Sequence, residues 1–333
     1  MNVERFSLPL ARPLETAAGT IESRDGFLVS TELDGSQGLG EATPLSGWTE
    51  SLSECRAALE DIDDPEAALA DGLVDAPAAR HGVSLAVLDA RARSAGEPLY
   101  RYLGGEAPVN RVPANATVGD SPPAETAETA EKAVEDGYPA VKLKVGARSF
   151  AEDLKRVESV RDVCPDVEIR ADANGAWDEA TAEDAFEAFE SLDIAFVEQP
   201  LPATDLAGHA SLSGGSVGVA IDEGLLEYGV DAVLEAGAAD VVVCKPMALG
   251  GVDRAREAAL RARAKGVEPI FTTTIDGAVA RAGTVHLAAS ISGIRPCGVA
   301  TGGLLAEDIR SDVSPVRAGS VVVPQGKGNI PPS

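Results

Sequence analysis

Four short apolar runs with charged residues at their ends recur through the middle of the chain. They are Val141-Lys142-Leu143-Lys144-Val145, Val167-Glu168-Ile169-Arg170-Ala171-Asp172, Ile194-Ala195-Phe196-Val197-Glu198 and Val217-Gly218-Val219-Ala220-Ile221-Asp222. Each has the length and composition of a strand, and a helical period lies between neighbours. Recurrence every 23 to 30 residues implies parallel strands joined by crossover helices. Further strand candidates lie at 112–118, 240–244, 268–272 and 297–300. Among the helices, one opens on the capping box Ser149-x-x-Glu152 and another runs from Val252 to Ala264. The expected fold is α/β, a (β/α)7β TIM-like barrel over 109–305. Parallel strands present their C-terminal ends at one mouth, where such barrels keep their chemistry.

Residues 1–108 read as a separate α+β capping domain. Phe6–Leu10 and Gly26–Leu33 are strand-like, Asp34-Gly35 is a hairpin turn, and 38–42 forms the return strand. Helical pattern runs from Glu50 to Leu69 and again from Ala78 to Ala95. The tail, 306–333, is turn-rich, and its run Val321-Val322-Val323-Pro324 is expected to return to the first domain.

Charge narrows the partners. The 333 residues carry a formal net charge of −26, which disfavours nucleic acid and anionic membranes, since both require a basic face. The acids are spread throughout and 44% of residues are hydrophobic, so this is not a disordered acidic chain. Arginine outnumbers lysine 21 to seven, and with the acidity this resembles proteins of salt-accumulating halophiles. Cys55, Cys164, Cys244 and Cys297 are widely spaced, as expected of reduced thiols in a cytoplasmic protein. The amino terminus has no signal-peptide pattern and no apolar run approaches a membrane span.

Candidate chemistry gathers at the strand ends. Lys142 and Lys144 share one face of their strand, and two ammonium groups facing a barrel interior are costly unless anions answer them. An edge strand with solvated lysines is the plainer reading. It fits poorly with a chain so sparing of lysine. Asp172, Glu198 and Asp222 close three successive strands; each alone could cap a helix, but together they offer the oxygen ligands that Mg²⁺ takes. No sulfur or imidazole accompanies them, which disfavours zinc. Asn174 and Glu223 are placed to orient these ligands, and Arg170 either pairs with a ligand or substrate carboxylate or forms a structural ion pair. Lys245 ends the sixth strand, facing the carboxylates across the mouth. Lysines around a metal suit removal of a proton α to a carboxylate, with the metal stabilising the enediolate. Cationic neighbours and desolvation lower a lysine's pKa toward that of a working base.

The set K-x-K, Asp172-Ala173-Asn174, Val197-Glu198-Gln199-Pro200, Asp222-Glu223 and Lys245-Pro246 resembles the enolase superfamily, muconate-lactonizing-enzyme subgroup. Within it the chain is most similar to the o-succinylbenzoate synthase family. That likeness rests on Ser23-Arg24-Asp25-Gly26, on 40–48 ending in Trp48, on Thr272-Thr273-Thr274-Ile275-Asp276-Gly277 and on 298–303. Dipeptide epimerases of the subgroup carry an Asp-x-Asp after the eighth strand; Val299-Ala300-Thr301 offers no acid. The resemblance implies an Mg²⁺-dependent dehydration, with Mn²⁺ able to substitute, of a small-molecule carboxylate. In it Lys144 is the base, Lys142 a further catalytic lysine and Lys245 a fixed cation. Thr272, Thr273 and Thr274 are candidates for the succinyl carboxylate, and residues 19–25, including Arg24, with Trp48 for lid contacts. An N-acylamino-acid racemase or muconate cycloisomerase on the same scaffold remains open, as does a metal-free Schiff-base lyase.

Overall fold

The sequence organises the N-terminal region around one hairpin. In a computed structural model describing residues 1–16, 19–71 and 73–331, strands β1 (Asn2–Thr16), β2 (Gly19–Leu33) and β3 (Ser36–Ala42) form an antiparallel meander. The last two residues of the expected tail lie outside the described residues. Asp34 and Gly35 both adopt positive φ, 51° and 75°, as a two-residue turn between twisted strands requires. The helical stretch expected over 50–69 is two helices, α1 (Leu52–Glu60) and α2 (Pro65–Asp71). Pro65 cannot continue a helix, and the Asp64 carboxylate accepts from the Glu66 and Ala67 amides to start a new one. Helix α3 (Pro77–Ala95) then lies so close to β3 that a Cβ on Gly40 would sit 1.9 Å from the Gly82 carbonyl oxygen. A short α4 (Leu99–Tyr102) follows.

The barrel begins with β4 (Arg111–Pro113) and β5 (Asn115–Val118), two pieces of the strand expected over 112–118. Then α5 (Pro123–Glu135), β6 (Ala140–Lys144), α6 (Phe150–Val163), β7 (Glu168–Asp172), α7 (Glu179–Glu190) and β8 (Ile194–Glu198) alternate. Next come α8 (Leu206–Leu212), β9 (Gly218–Ile221), α9 (Gly224–Ala236), β10 (Val241–Cys244), α10 (Pro246–Leu249), α11 (Val252–Ala264), β11 (Glu268–Phe271) and α12 (Ala278–Ala289). Strands β5 to β11 form one curled parallel sheet in chain order. The eighth stave, expected over 297–300, is reduced to two bridging residues: Cys297 pairs with Ala114, and Gly298 with Thr272. Gly298 is needed there, because a Cβ would lie 2.4 Å from Thr272 Oγ1.

Alternation along these strands divides the side chains. Val141, Leu143, Ile169, Ala171 and Val197 are wholly buried and pack beneath Val157, Val160, Ala182, Ala185 and Phe189 of the covering helices. Each large apolar side chain so buried contributes about 1.5–3 kcal/mol, which fixes the register and turns the intervening residues inward.

The run at 321–324 does not pair with the first region as expected. Of the tail strands β12 (Val316–Arg317) and β13 (Ser320–Val322), β13 pairs with β4 at the foot of the barrel. Contact with β1 and α3 comes instead from Leu305, bridged to Leu10, and from Asn329, whose amide donates to Asp89. Among the described residues no helix is long and apolar enough to cross a membrane.

Candidate active site

Registration of the parallel strands sets the charged residues side by side. Lys144 pairs with Asp172, Asp172 with Glu198, and Glu198 with Ala220, two residues short of Asp222. Lys142 Nζ donates to both oxygens of Glu198, at 2.9 and 3.0 Å, and lies 2.8 Å from Asp172 Oδ2. Lys144 Nζ donates to Asp172 Oδ2 at 2.7 Å and to Asn174 Oδ1 at 2.8 Å. From the far side Lys245 donates to Asp222, and its ammonium rests 3.3 Å from the centroid of the Trp48 ring. Asn174, in the left-handed region at φ 45°, donates from Nδ2 to Glu223 Oε1 at 3.0 Å. The structure thus brings together eight sequence-identified residues: three lysines, four carboxylates and Asn174. Trp48 arrives from the N-terminal region.

The electrostatics are uneven. Burial opposes ionisation of Asp172, but the ammonium groups of Lys142 and Lys144 outweigh it and hold that carboxyl far below the usual range. Burial likewise works against the Lys142 ammonium, and Asp172 with Glu198 more than reverse it, raising the lysine. At Asp222 burial prevails over Lys245, and repulsion from Glu198 and Glu223 adds to it, pushing the carboxyl up to about 8. Four carboxylates face three ammonium groups, and Asp222 Oδ1 and Glu223 Oε2 are buried without a hydrogen-bond partner.

Among the described residues no three carboxylate, imidazole or thiol groups stand ready around one point. Lysine ammonium groups occupy the space instead, with Lys142 bridging Asp172 and Glu198. The donors nevertheless fit a hard divalent cation: they are all oxygens, one is orphaned, and Asp222 lacks enough nearby positive charge to keep it ionised.

The remaining candidates are engaged within the protein. Arg170 lies one layer below the mouth, where its guanidinium meets Glu168 at 2.6 Å and donates to the Pro296 carbonyl at 2.7 Å. It forms the structural ion pair, because its position at the strand's midpoint directs it to the foot. Arg24 is buried and donates to the carbonyls of Thr43 (2.9 Å), Pro44 (3.1 Å) and Ile275 (3.3 Å). A desolvated guanidinium must find such partners, so it clamps the N-terminal region onto the loop after β11. Two of the three threonines are also committed: Thr272 Oγ1 donates to Gly298 O at 2.9 Å and Thr274 Oγ1 to Asp276 at 2.5 Å. Thr273 Oγ1 lies 2.7 Å from Thr301 Oγ1. Gln199, in the same motif as Glu198, also belongs to the site: its buried side-chain oxygen accepts from the backbone amide of Asp222. Its only sequence signal is its place directly after Glu198.

Comparison with known proteins covers both halves. The family described as Enolase C-terminal domain-like matches residues 125–329, and the MenC N-terminal domain matches residues 1–90. The chain is 30% identical over 310 residues to the L-Ala-D/L-Glu epimerase of Bacillus subtilis, covering 87% of this chain and 84% of that protein. It is 28% identical over 293 residues to the o-succinylbenzoate synthase of Enterobacter sp., covering 86% of each. The structure of an Enterococcus faecalis dipeptide epimerase, complexed with Mg and the dipeptide L-Leu-L-Tyr, superimposes with a TM-score of 0.88. That comparison covers 98% of this chain and 97% of the other at 25% identity.

Proposed function

This chain belongs to the enolase C-terminal domain-like family, a family of enzymes, and from that premise we propose that it is an o-succinylbenzoate synthase. Its substrate would be 2-succinyl-6-hydroxy-2,4-cyclohexadiene-1-carboxylate, which loses water to become an aromatic ring. Asp172, Glu198 and Asp222 would hold Mg²⁺, which would supply positive charge to the substrate carboxylate as the α-proton leaves.

The observation that carries this reading is the inequality of the two opposed lysines. Lys144 has 38% of its side chain exposed, whereas Lys245 has 12% and lies between Asp222 and the indole of Trp48. A syn-elimination needs one mobile base. Lys144 takes the proton from the carbon bearing the carboxylate. The C–H electron pair forms the new ring double bond, the C–O bond breaks, and the same ammonium returns the proton so that water departs. Asn174 Oδ1 and Asp172 hold that ammonium in place between the two transfers. Lys245 is a fixed cation against which the electron-rich intermediate rests. Trp48 closes the mouth over it and excludes water. The match of residues 1–90 to the MenC N-terminal domain, and the lack of an acid at 299–301, further support the assignment.

A racemase reading draws on the same two lysines lying on opposite sides of the carboxylates, as a two-base proton transfer needs. One assay separates them. In molar KCl with Mg²⁺ the wild-type protein should convert the cyclohexadiene acid to o-succinylbenzoate, read as aromatic absorbance, and racemise N-succinyl amino acids poorly. Fast racemisation with negligible dehydration would overturn the assignment.

A further inference from the structure

We propose that His209 is a positioning residue which, acting through Gln199, sets the backbone that carries Asp222; the inference rests on the metal reading above. Gln199 follows Glu198 at the end of β8, is fully buried, and adopts φ 44°. A left-handed glutamine is uncommon and persists where its surroundings over-determine it. Here they do. Its amide nitrogen donates to Ala220 O at 2.7 Å, and its carbonyl accepts from Gly175 N at 2.7 Å. Its side-chain Oε1 accepts from the backbone amides of Asp222 (3.1 Å) and Gly224 (3.0 Å). One residue therefore ties together the segments that follow β7, β8 and β9, next to Asp172 and Glu198 at the ends of the first two strands and to Asp222 just after the third.

Oε1 can serve those two amides only if the NH₂ end of the side chain points the other way. There it donates to Leu201 O at 3.1 Å and meets His209 Nε2 at 3.2 Å. His209, on α8, is 1% exposed, and its Nδ1 lies 2.6 Å from the carbonyl oxygen of Asp205. A carbonyl only accepts, so Nδ1 carries the proton and Nε2 offers a lone pair to Gln199. Burial lowers the imidazole's pKa and so favours that neutral form. His209 Nε2 thus joins Leu201 O in fixing which way the Gln199 amide faces. With no acceptor at 209 one N–H of this buried amide loses its partner, and Leu201 O alone holds that end. The side chain can then shift and the bonds from Asp222 and Gly224 loosen, and ligand carboxylates tolerate little displacement.

The test uses hydrogen–deuterium exchange over 220–226 in metal-free protein, together with calorimetric Mg²⁺ affinity. Wild type is compared with His209→Ala, Gln199→Met and His209→Gln. In His209→Ala and Gln199→Met the Asp222 and Gly224 amides should exchange faster while β6 and β7 keep their protection. Both variants should bind Mg²⁺ about 10- to 100-fold more weakly. His209→Gln, whose Oε1 can accept in place of Nε2, should recover most of both properties. Unchanged exchange over 220–226 in His209→Ala overturns the proposal, whatever Gln199→Met shows. So does loss of protection spread evenly over the barrel with no recovery in His209→Gln. If the wild type binds no Mg²⁺ the metal reading fails, and the exchange comparison still decides the relay.

Discussion

Two clusters of buried and half-buried charge lie one layer apart in this barrel, and they resolve the same problem differently. At the foot, Arg170 and Arg295 share the single carboxylate of Glu168, at 2.6 and 3.0 Å, leaving one positive charge over. Phe196 absorbs that excess: the two guanidinium carbons lie 4.9 and 5.5 Å from its ring centroid. The carbonyl of Pro296 takes a further N–H. At the mouth, four carboxyl groups face three ammonium groups, and burial with repulsion from Glu198 and Glu223 pushes Asp222 up to about 8, its Oδ1 left without a partner. The foot spreads its excess charge over an aromatic ring and a backbone carbonyl; the mouth keeps a carboxyl that only an added cation would hold ionised. Buried charge alone is no mark of a site. The mark here is a buried carboxyl that its own neighbours do not keep ionised.

Turnover should divide the clusters most sharply. Lys144→Ala removes the proposed base and should lower kcat by about 10²–10⁴-fold, measured by aromatic absorbance. EDTA should abolish activity and Mg²⁺ or Mn²⁺ restore it, whereas Glu168→Gln at the foot should leave kcat within a few-fold. Full activity in rigorously metal-free protein would erase the distinction.

Stability should divide them the other way. Glu168→Gln leaves two guanidinium groups sharing no carboxylate and should cost about 2 kcal/mol in urea unfolding. An unchanged midpoint would mean that Phe196 and the backbone suffice.

Acid should then weaken the parts remote from the mouth. Burial acts against the Glu168 carboxylate, but Arg170 and Arg295 prevail and lower it. It therefore contributes stability above the ordinary carboxylate range and loses it as pH falls through the folded value. Burial pushes His286 down to about 4, so between about 6.5 and 4 the unfolded chain binds a proton that the folded one does not. Stability from both groups is present near pH 7 and falls on acidification, by up to about 1.4 kcal/mol per pH unit for a single group. Glu41 works against this trend. Burial and Asp276 push it up to about 7, so its contribution is full below about 4.5 and fades as pH rises through 7. His286→Asn should flatten the acid slope of the denaturant midpoint, and an unaltered slope would refute the assignment.

Salt should have the smallest effect and reach neither cluster. With a net charge of −26, dilution from molar KCl to ~10 mM, where the screening length is about 30 Å, should lower Tm by a few degrees. No change would remove the halophile expectation.

How much of this was legible depended on whether the signal was local. Alternation is local, so Val141 and Leu143 could be assigned to one face and Lys142 and Lys144 to the other, and the strand ends at Asp172, Glu198 and Asp222 followed. The helical stretch over 50–69 was overextended because its period continues past Asp64-Pro65, where the backbone cannot. The eighth stave has the composition of a strand, yet only Cys297 and Gly298 bridge to its neighbours.

The sequence by itself determined the parallel architecture and which charged groups reach the mouth, because a period of two and a strand's end depend on neighbours in the chain. Only the tertiary structure decided their partners. Arg170 and Asp172 sit two residues apart on one face, yet one layer of barrel height sends the first to Glu168 and the second to the lysines. Trp48 meets Lys245, and His209 meets Gln199, across separations that no local pattern encodes. Such pairs form because desolvated polar groups must find partners wherever packing has brought them, and packing is a property of the whole fold.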